Sequence, residues 1–377
     1  MKTTDIVPRS NTSEIVPFEE LKTSTRTIVV YSNIEISLIR AFMGMYITPV
    51  DVPLTSKKKN VDRKKLTGPY GAIISVQKGN LYRGVNMRRN KTHWCTANCR
   101  RMGTTKTGKQ VKLRTVVEQS ELVEGTDDIY NINYYCTECE RYYTLRQLGK
   151  NTSFLNQTTV VLALENIVIN IMVFRDTFKV AGCKTDANAI EAIRILWEDH
   201  IQKLNGIYNN KAWALKDKWA DSSPKFLFRP VMRNMNFRLA FYIDREKLNM
   251  LMNRKEYKDI VFMSQCETTG NTNVNIKMYT EKPDDHRYEC LTYPNQDGSG
   301  EAFIELVKDN YLKDTSAKKP ERITLVVFST SEVILSGRYP DVMKNRYEFF
   351  IKEMLKNRKA IEEKIVEPQF SIKDFIM

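Results

Sequence analysis

The chain has no run of about 18 uncharged apolar residues, so nothing in it reads as a membrane-spanning helix. Its opening, Met1-Lys2-Thr3-Thr4-Asp5, is polar and lacks the apolar core of a secretory signal, which predicts a soluble intracellular protein with no membrane partner. Histidine is scarce, at three in 377 residues, leaving little material for His-based catalysis or His-rich metal sites. Glycine (15) and proline (12) are too few for a collagen-like or low-complexity chain. No G-x-x-x-x-G-K-[ST] loop, no H-E-x-x-H and no nucleophile constellation is present, and Asp284-Asp285-His286 reads as a loop. No catalytic residue is expected, and the chain is not read as an enzyme.

What is present is a globular composition, 42% hydrophobic and 28% charged, in a length that suits one or two domains with real cores. Lys and Arg number 59 against 45 Asp and Glu, a net +14, which favours a polyanionic partner and does not by itself tell nucleic acid from an acidic membrane. The excess is concentrated. From Lys57 to Arg114 the only acidic side chain is Asp62. Lys57–Lys65 alone suits a solvated loop or a nuclear-import signal as well as a phosphate-binding patch. With cysteines inside the same block, nucleic acid becomes the preferred reading, and Arg100, Arg101, Lys106 and Lys109 become candidate phosphate contacts.

Of the seven cysteines, four form two close pairs, Cys95-x3-Cys99 and Cys136-x2-Cys139. Such pairs let two thiolates reach one ion from a tight turn, and two turns complete a tetrahedron suited to one structural Zn2+. The roughly 36 residues between pairs exceed the usual ribbon spacing. His93 stands ready to replace a thiolate, although four sulfurs need no help. A centre closed by four thiolates has no open coordination position and is structural, not hydrolytic. Cys183, Cys266 and Cys290 are scattered singly and read as small buried residues.

An internal repeat organises the rest. Ile171-Met-Val-Phe174 through Gly182, and Leu325-Val-Val-Phe328 through Gly337, each read as strand, turn, strand, followed by a helix. Thr185 caps the first helix, with Ile190, Ile193, Trp197, Ile201 and Leu204 at helical spacing. Pro340 opens the second, with Met343, Tyr347, Phe350 and Met354. Upstream, Thr27–Tyr31 and Phe237–Ile243 each precede a helical stretch. Gly71–Val76 with Leu81–Met87 then matches Asp259–Ser264 with Asn273–Met278 as a hairpin-like pair. The expected organisation is an N-terminal tail 1–22, a first repeat 23–205 with a cysteine-bearing insertion at about 90–155, a linker 206–230, a second repeat 231–363 with an insertion at about 283–320, and a C-terminal tail 364–377.

In the second repeat Val326, Phe328, Ile334 and Ser336 alternate with Leu325, Val327, Val333 and Leu335, so both sheet faces are largely apolar. The helices can cover one face. The other is left as a binding surface, unless the insertions fold back over it.

At these residues the sequence resembles the TATA-box-binding protein family. Val326-Val-Phe-Ser-Thr-Ser-Glu-Val-Ile-Leu-Ser-Gly337 aligns without gaps on the family's strand, turn, strand and Thr-Gly, and Val173-Phe174 through Gly182-Cys-Lys184 matches the same place with one residue deleted. Arg233-Asn234-Met235 looks like the Gln-Asn-Met or Gln-Asn-Ile that begins each family repeat. The likeness covers about half of the chain in dispersed blocks. It implies an α+β, pseudo-twofold saddle of curved antiparallel sheet with helices on the convex face, carrying here a zinc-binding insertion.

The resemblance further implies a DNA-binding basal transcription initiation factor that bends AT-rich promoter DNA through the minor groove. Its partners would be double-stranded promoter DNA, a transcription-factor-IIB-like protein and DNA-directed RNA polymerase. Apolar wedges unstack base steps in such complexes, and flexible TA steps lower that cost. Phe174 and Phe328 match one wedge of each family pair. Tyr82, or else Tyr70, would supply the first half's second wedge, whereas Asn273 stands where the second half should have Phe. Asn234 matches the central groove-reading Asn, with Ser24 or Thr25 as its first-half counterpart. Groove-lining positions map on Asn236, Val326, Ile334 and Ser336, and on Met172 and Ala181. Glu332 replaces the usual Lys. Both insertions are expected in the stirrup loops. The insertions and thiol pairs are absent from the compact cellular protein, which suggests a divergent form such as those of large DNA viruses, working in the nucleus, a cytoplasmic virus factory or the virion. The competing reading is a zinc-containing nucleic-acid-binding or RNA-polymerase-associated module whose sheet packs on a protein partner.

Overall fold

The computed structural model describes residues 16–49, 68–84, 93–95, 101–104, 108–113, 116–123, 129–143, 155–165, 167–216, 223–266, 273–280, 286–308 and 322–363. Lys57–Lys65, Cys99, Arg100, Lys106 and the terminal Phe370, Phe375 and Ile376 lie outside the described residues. The fold is α+β, with antiparallel sheet dominating and few helices. Two compact units divide the chain. One holds Thr27–Pro230 with Arg287–Asp309, and the other holds Val231–His286 and Asn310–Met377 with Met1–Arg26.

In chain order the first repeat runs β1 (Thr23–Ser32), β2 (Ile34–Ile36), α1 (Leu38–Gly44), β3 (Ile73–Lys78) and β4 (Leu81–Gly84). The cysteine-bearing stretch contributes β5 (His93–Trp94), β6 (Arg101–Thr104), β7 (Gln110–Leu113), β8 (Val116–Val123), β9 (Ile129–Cys136) and β10 (Arg141–Tyr143). Then follow β11 (Thr158–Leu164), β12 (Ile167–Val173), β13 (Thr177–Cys183) and α2 (Asp186–Ile195), which runs into a π-helical stretch, Leu196–Ile201, and α3 (Leu204–Ile207).

The first unit's sheet is ordered β13-β12-β11-β3-β4, each pair antiparallel. β11 and β12 are rich in β-branched residues, and Val160, Leu162, Ile169, Ile171 and Val173 all point to one face. There they pack against Ala189, Ile193, Leu196 and Trp197 of the helical layer. Thr185 accepts a hydrogen bond from the Asn188 N–H at 3.2 Å, and Asn188 Oδ1 accepts from the Thr185 N–H at 3.1 Å, so a reciprocal capping box starts α2.

The stretch expected as a linker is partly structural. β14 (Trp213–Leu215) pairs with β2, and Trp213 is buried at 4.8 Å from the Trp197 ring. β15 (Lys225–Arg238) follows, then α4 (Arg245–Met252), β16 (Val261–Cys266), β17 (Asn273–Tyr279), β18 (Arg287–Thr292), β19 (Phe303–Lys308), β20 (Arg322–Phe328), β21 (Glu332–Gly337), α5 (Pro340–Lys356) and α6 (Arg358–Ile361).

In the second unit the strands follow the order β15-β21-β20-β17-β16. Leu325, Val327, Val333 and Leu335 are fully buried against Leu248, Leu251, Met343, Tyr347, Phe350 and Met354, as the helical spacing predicts. Each such side chain contributes about 1.5–3 kcal/mol relative to exposure.

These orders correct the strand matching. Placing β12 on β20 and β13 on β21 makes β11 the counterpart of β17 and β3 the counterpart of β16. β4, expected to match β17, lies one strand further out. The cysteine-bearing insertion therefore separates β3 from β11, whereas the second insertion separates β17 from β20, so the two do not occupy equivalent loops. Nor does the second insertion stay with its own repeat, because Arg287–Asp309 belongs to the first unit.

Candidate functional site

Opposite each helical layer lies a second sheet face. In the second unit, register places Gln265, Asn275, Val326, Ile334 and Asn236 in one row across β16, β17, β20, β21 and β15. A neighbouring row holds Lys277, Thr324, Ser336 and Asn234, and the row on the other side holds Asn273, Phe328, Glu332 and Arg238. Val326, Phe328, Ile334, Ser336 and Asn234 are half-buried and Asn236 is exposed, in contrast to the sealed residues between them. A shallow depression of about 420 Å3 opens here, bordered by Asn236, Arg238, Phe328, Glu332 and Ile334.

Polar groups on this face are arranged by short-range bonds. The Ser336 hydroxyl donates to Asn234 Oδ1 at 2.8 Å, and the Ser24 hydroxyl to Asn236 Oδ1 at 3.3 Å. Ser24 also donates to the Asn234 carbonyl at 3.2 Å, so this residue sits beside the central Asn that it was expected to mirror. Glu332, directly across from Arg238, forms an ion pair with it at 3.3 Å. The turn after Phe328 holds Ser331 at φ 69°, a left-handed conformation that favours glycine.

In the first unit, Phe174 follows Met172 on the face opposite the helices, and both are half-buried, as is Ala181. Val173 pairs with Phe178 and Val327 with Val333, so the Phe174 turn is one residue shorter than the Phe328 turn, as the alignment gap requires. This face is not bare throughout. Ile74, Val161 and Ala163 are buried together on it at the β3–β11 end. Gln157 stands one step beyond the Thr158–Val173 pair, in line with Phe174, and Asn273 is directly opposite Phe328. Asn273 is the position where the second half was expected to have Phe, and Gln157, which is buried, stands at the corresponding place beside Phe174.

Tyr82 is not the first half's second wedge. Its strand, β4, pairs with β9, and its ring is buried with Tyr134 and Cys136, because β11 already fills the sheet position assigned to it. Tyr70 is exposed and donates its hydroxyl to Glu191, away from the sheet rows. Arg83, one of the cations of the basic block, is structural: its Nη1 donates to the carbonyls of Phe42 and Met43 at 2.8 Å and of Met45 at 3.0 Å, closing the end of α1. Of the four candidate phosphate contacts, Lys109 is exposed and Arg101 opens β6; Arg100 and Lys106 fall outside the described residues.

The sequence-predicted metal ligands converge. Cys95, Cys136 and Cys139 present sulfurs all within 4.8 Å of one another and could hold a metal ion; Cys99 is outside the described residues. β9 delivers Cys136, and a tight turn returns the chain to β10 with Arg141 facing Cys136. Glu140, immediately after Cys139, takes φ 51° to close that turn. The Tyr143 hydroxyl lies 3.1 Å from Cys139 Sγ. Its hydrogen bonds to Cys139 and then Cys95, with burial adding to them, hold the phenol well above the ordinary tyrosine range, so it stays protonated beside the sulfurs. Nothing in the sequence points to Tyr143 beyond its place four residues after a cysteine.

No family model matches the chain. A stretch of 146 residues is 31% identical to uncharacterized protein 335L of Invertebrate iridescent virus 6, covering 36% of this chain and 43% of that protein. The chain thus spans less than half the length of the curated relative it matches. Among the described residues no helix is long and apolar enough to cross a membrane.

Proposed function

We propose that the protein is a DNA-binding transcription initiation factor, a divergent relative of the TATA-box-binding proteins, that bends AT-rich promoter duplexes through the minor groove. One observation carries this reading: each unit buries one sheet face under helices and leaves Phe174 or Phe328 half-exposed on the other, at the same step of the same strand order. Apolar side chains on an open sheet suit base steps unstacked by bending, and the net charge of +14 suits the phosphates alongside. The saddle implied by the resemblance is the arrangement this reading requires. Recruitment of a transcription-factor-IIB-like protein and RNA polymerase, a viral origin, and work in the nucleus, a virus factory or the virion follow from the same reading.

The cysteine centre, on this reading, holds one structural Zn2+. Two thiolates on a tetrahedral zinc lie about 3.8 Å apart, given Zn–S bonds near 2.3 Å. The Cys95 and Cys139 sulfurs are 3.9 Å apart. Cys99 is the natural fourth ligand. Burial of Ile74, Val161 and Ala163 favours the second reading for one unit, a sheet face that packs on protein.

A gel assay of circularly permuted duplexes separates the two. Bending confined to the AT-rich duplex is the expected result. Equal mobility shifts with AT-rich and GC-rich duplexes, or a preference for single strands, would count against the initiation-factor reading.

A further inference from the structure

We infer that the Tyr143 hydroxyl donates a hydrogen bond to the metal-bound sulfur of Cys139 and, as a positioning residue, sets how readily the cysteine centre gives up its ion. The inference rests on the zinc reading above and deepens it.

The three sulfurs of the centre are not equally protected. Cys136 is buried, whereas Cys95 and Cys139 are half-buried, so a reagent arriving from water meets these two first. Four thiolates also carry more negative charge than one Zn2+ offsets, and partly buried charge of that kind is stabilised by hydrogen-bond donors at sulfur. Tyr143 supplies one. Its hydroxyl lies 3.1 Å from Cys139 Sγ and interacts with Cys95 as well. In a free thiol beside a phenol either group can donate. A bound metal fixes the direction, because a coordinated thiolate has no proton and the phenol keeps its own.

The hairpin of β9 and β10 aims that hydroxyl. Its register sets Arg141 opposite Cys136, Tyr142 opposite Tyr135 and Tyr143 opposite Tyr134. Alternation therefore puts Tyr143 on the face of Cys136 and the buried Tyr134, and it packs there with Cys95, Cys139 and Tyr82. Tyr142 takes the other face, 59% exposed, with its ring 4.9 Å from that of Tyr135. Two tyrosines adjacent in sequence thus differ in one respect that matters here: only the hydroxyl of Tyr143 reaches a sulfur of the centre. A donor there draws charge from the thiolate and lowers its nucleophilicity, so attack on Cys139 or Cys95, and with it release of the ion, is slowed.

The experiment uses the full chain loaded with zinc and follows release of the ion into a metallochromic dye while N-ethylmaleimide alkylates the thiolates. Tyr143→Phe keeps the ring and removes the hydroxyl, and Tyr142→Phe removes a hydroxyl from the opposite face. Zinc should leave Tyr143→Phe about tenfold faster than the unmodified protein, the lower end of what loss of an outer-shell partner costs. Tyr142→Phe should match the unmodified protein. In the cobalt-loaded chain the thiolate-to-metal bands of Tyr143→Phe should move to lower energy, since a sulfur freed of its donor gives up an electron more easily; a purely structural role would not move them. Unchanged release with unmoved bands in Tyr143→Phe overturns the inference and leaves the zinc reading standing. So does faster release shared equally by Tyr142→Phe, which would belong to the hairpin and not to the bond at sulfur. If the unmodified protein holds no zinc, the zinc reading itself fails and the inference with it.

Discussion

The sulfurs of Cys95 and Cys139 stand 3.9 Å apart, nearly twice a disulfide bond and close to the edge of a thiolate tetrahedron around zinc. The purified protein should therefore contain about one zinc per chain by elemental analysis. Cobalt substitution should give thiolate-to-metal absorption bands, because four sulfurs around Co2+ absorb where oxygen ligands do not. Cys136→Ser is expected to remove the metal and lower the melting temperature, whereas Cys183→Ser should leave the metal content unchanged.

Tyr82 belongs to the same centre through its packing on Cys136 and Tyr134. Tyr82→Ala should cost about 3–5 kcal/mol of stability, the usual range for emptying a buried aromatic site, and weaken metal retention in competition with a chelator. DNA bending per bound molecule should be unchanged. A loss of bending without a loss of stability would restore Tyr82 as a groove wedge.

Phe174 and Phe328 are half-buried while Leu335 is sealed. Leu335→Ala should destabilise the fold by about 2–5 kcal/mol, through lost transfer energy and the cavity left behind. Phe328→Ala, by contrast, should unfold at nearly the temperature of the unmodified protein and yet bend an AT-rich duplex less. Thermal melts and the permuted-duplex assay read the two effects separately.

Ser331 occupies a left-handed turn at φ 69° between Phe328 and Glu332. Ser331→Gly should be neutral to stabilising by about 1 kcal/mol, since glycine meets no steric penalty there. Ser331→Val should be destabilising by more than that, because a β-branched side chain fits this region poorly. Denaturant midpoints compare the pair directly.

His200 is buried beside the exposed Asp199 and Lys203, and burial pushes its imidazole down to about 4. Above the ordinary value near 6.5 the group is neutral in both states and has no effect. As pH falls below that, the unfolded chain binds a proton that the folded one refuses, so stability drops, by about 2 kcal/mol between pH 7 and pH 5. His200→Gln should flatten this part of the profile, measured as the difference in unfolding free energy at the two pH values.

The helices and the paired strands were legible because their signals are local. Thr185 and Pro340 mark helix starts, and the alternation of Leu325 to Val327 and Val333 to Leu335 names the buried face without reference to anything distant. The thiol pair Cys136–Cys139 could likewise be read from spacing alone. What could not be read was which strand lies beside which. β4 and β17 look alike as short amphipathic strands, and only long-range pairing of β11 with β3 distinguishes them. The same cause misplaced Tyr82, whose aromatic ring is equally suited to a groove or to a core. Arg83 was hidden for a different reason: a cation in a basic run gives no sign that three carbonyls are waiting for it.

The hairpin formed by β18 and β19 is encoded within the second repeat, between β17 and β20, yet it finishes the first unit. Trp197 donates its indole N–H to the Gly298 carbonyl at 3.3 Å, and Tyr293 packs against it. Gly298 takes φ 72° with no room for a side chain, since a Cβ would fall 2.4 Å from the Trp197 ring. On the ribosome, the N-terminal body must therefore wait with its tryptophan pocket half made until about eighty further residues past Pro230 have been translated.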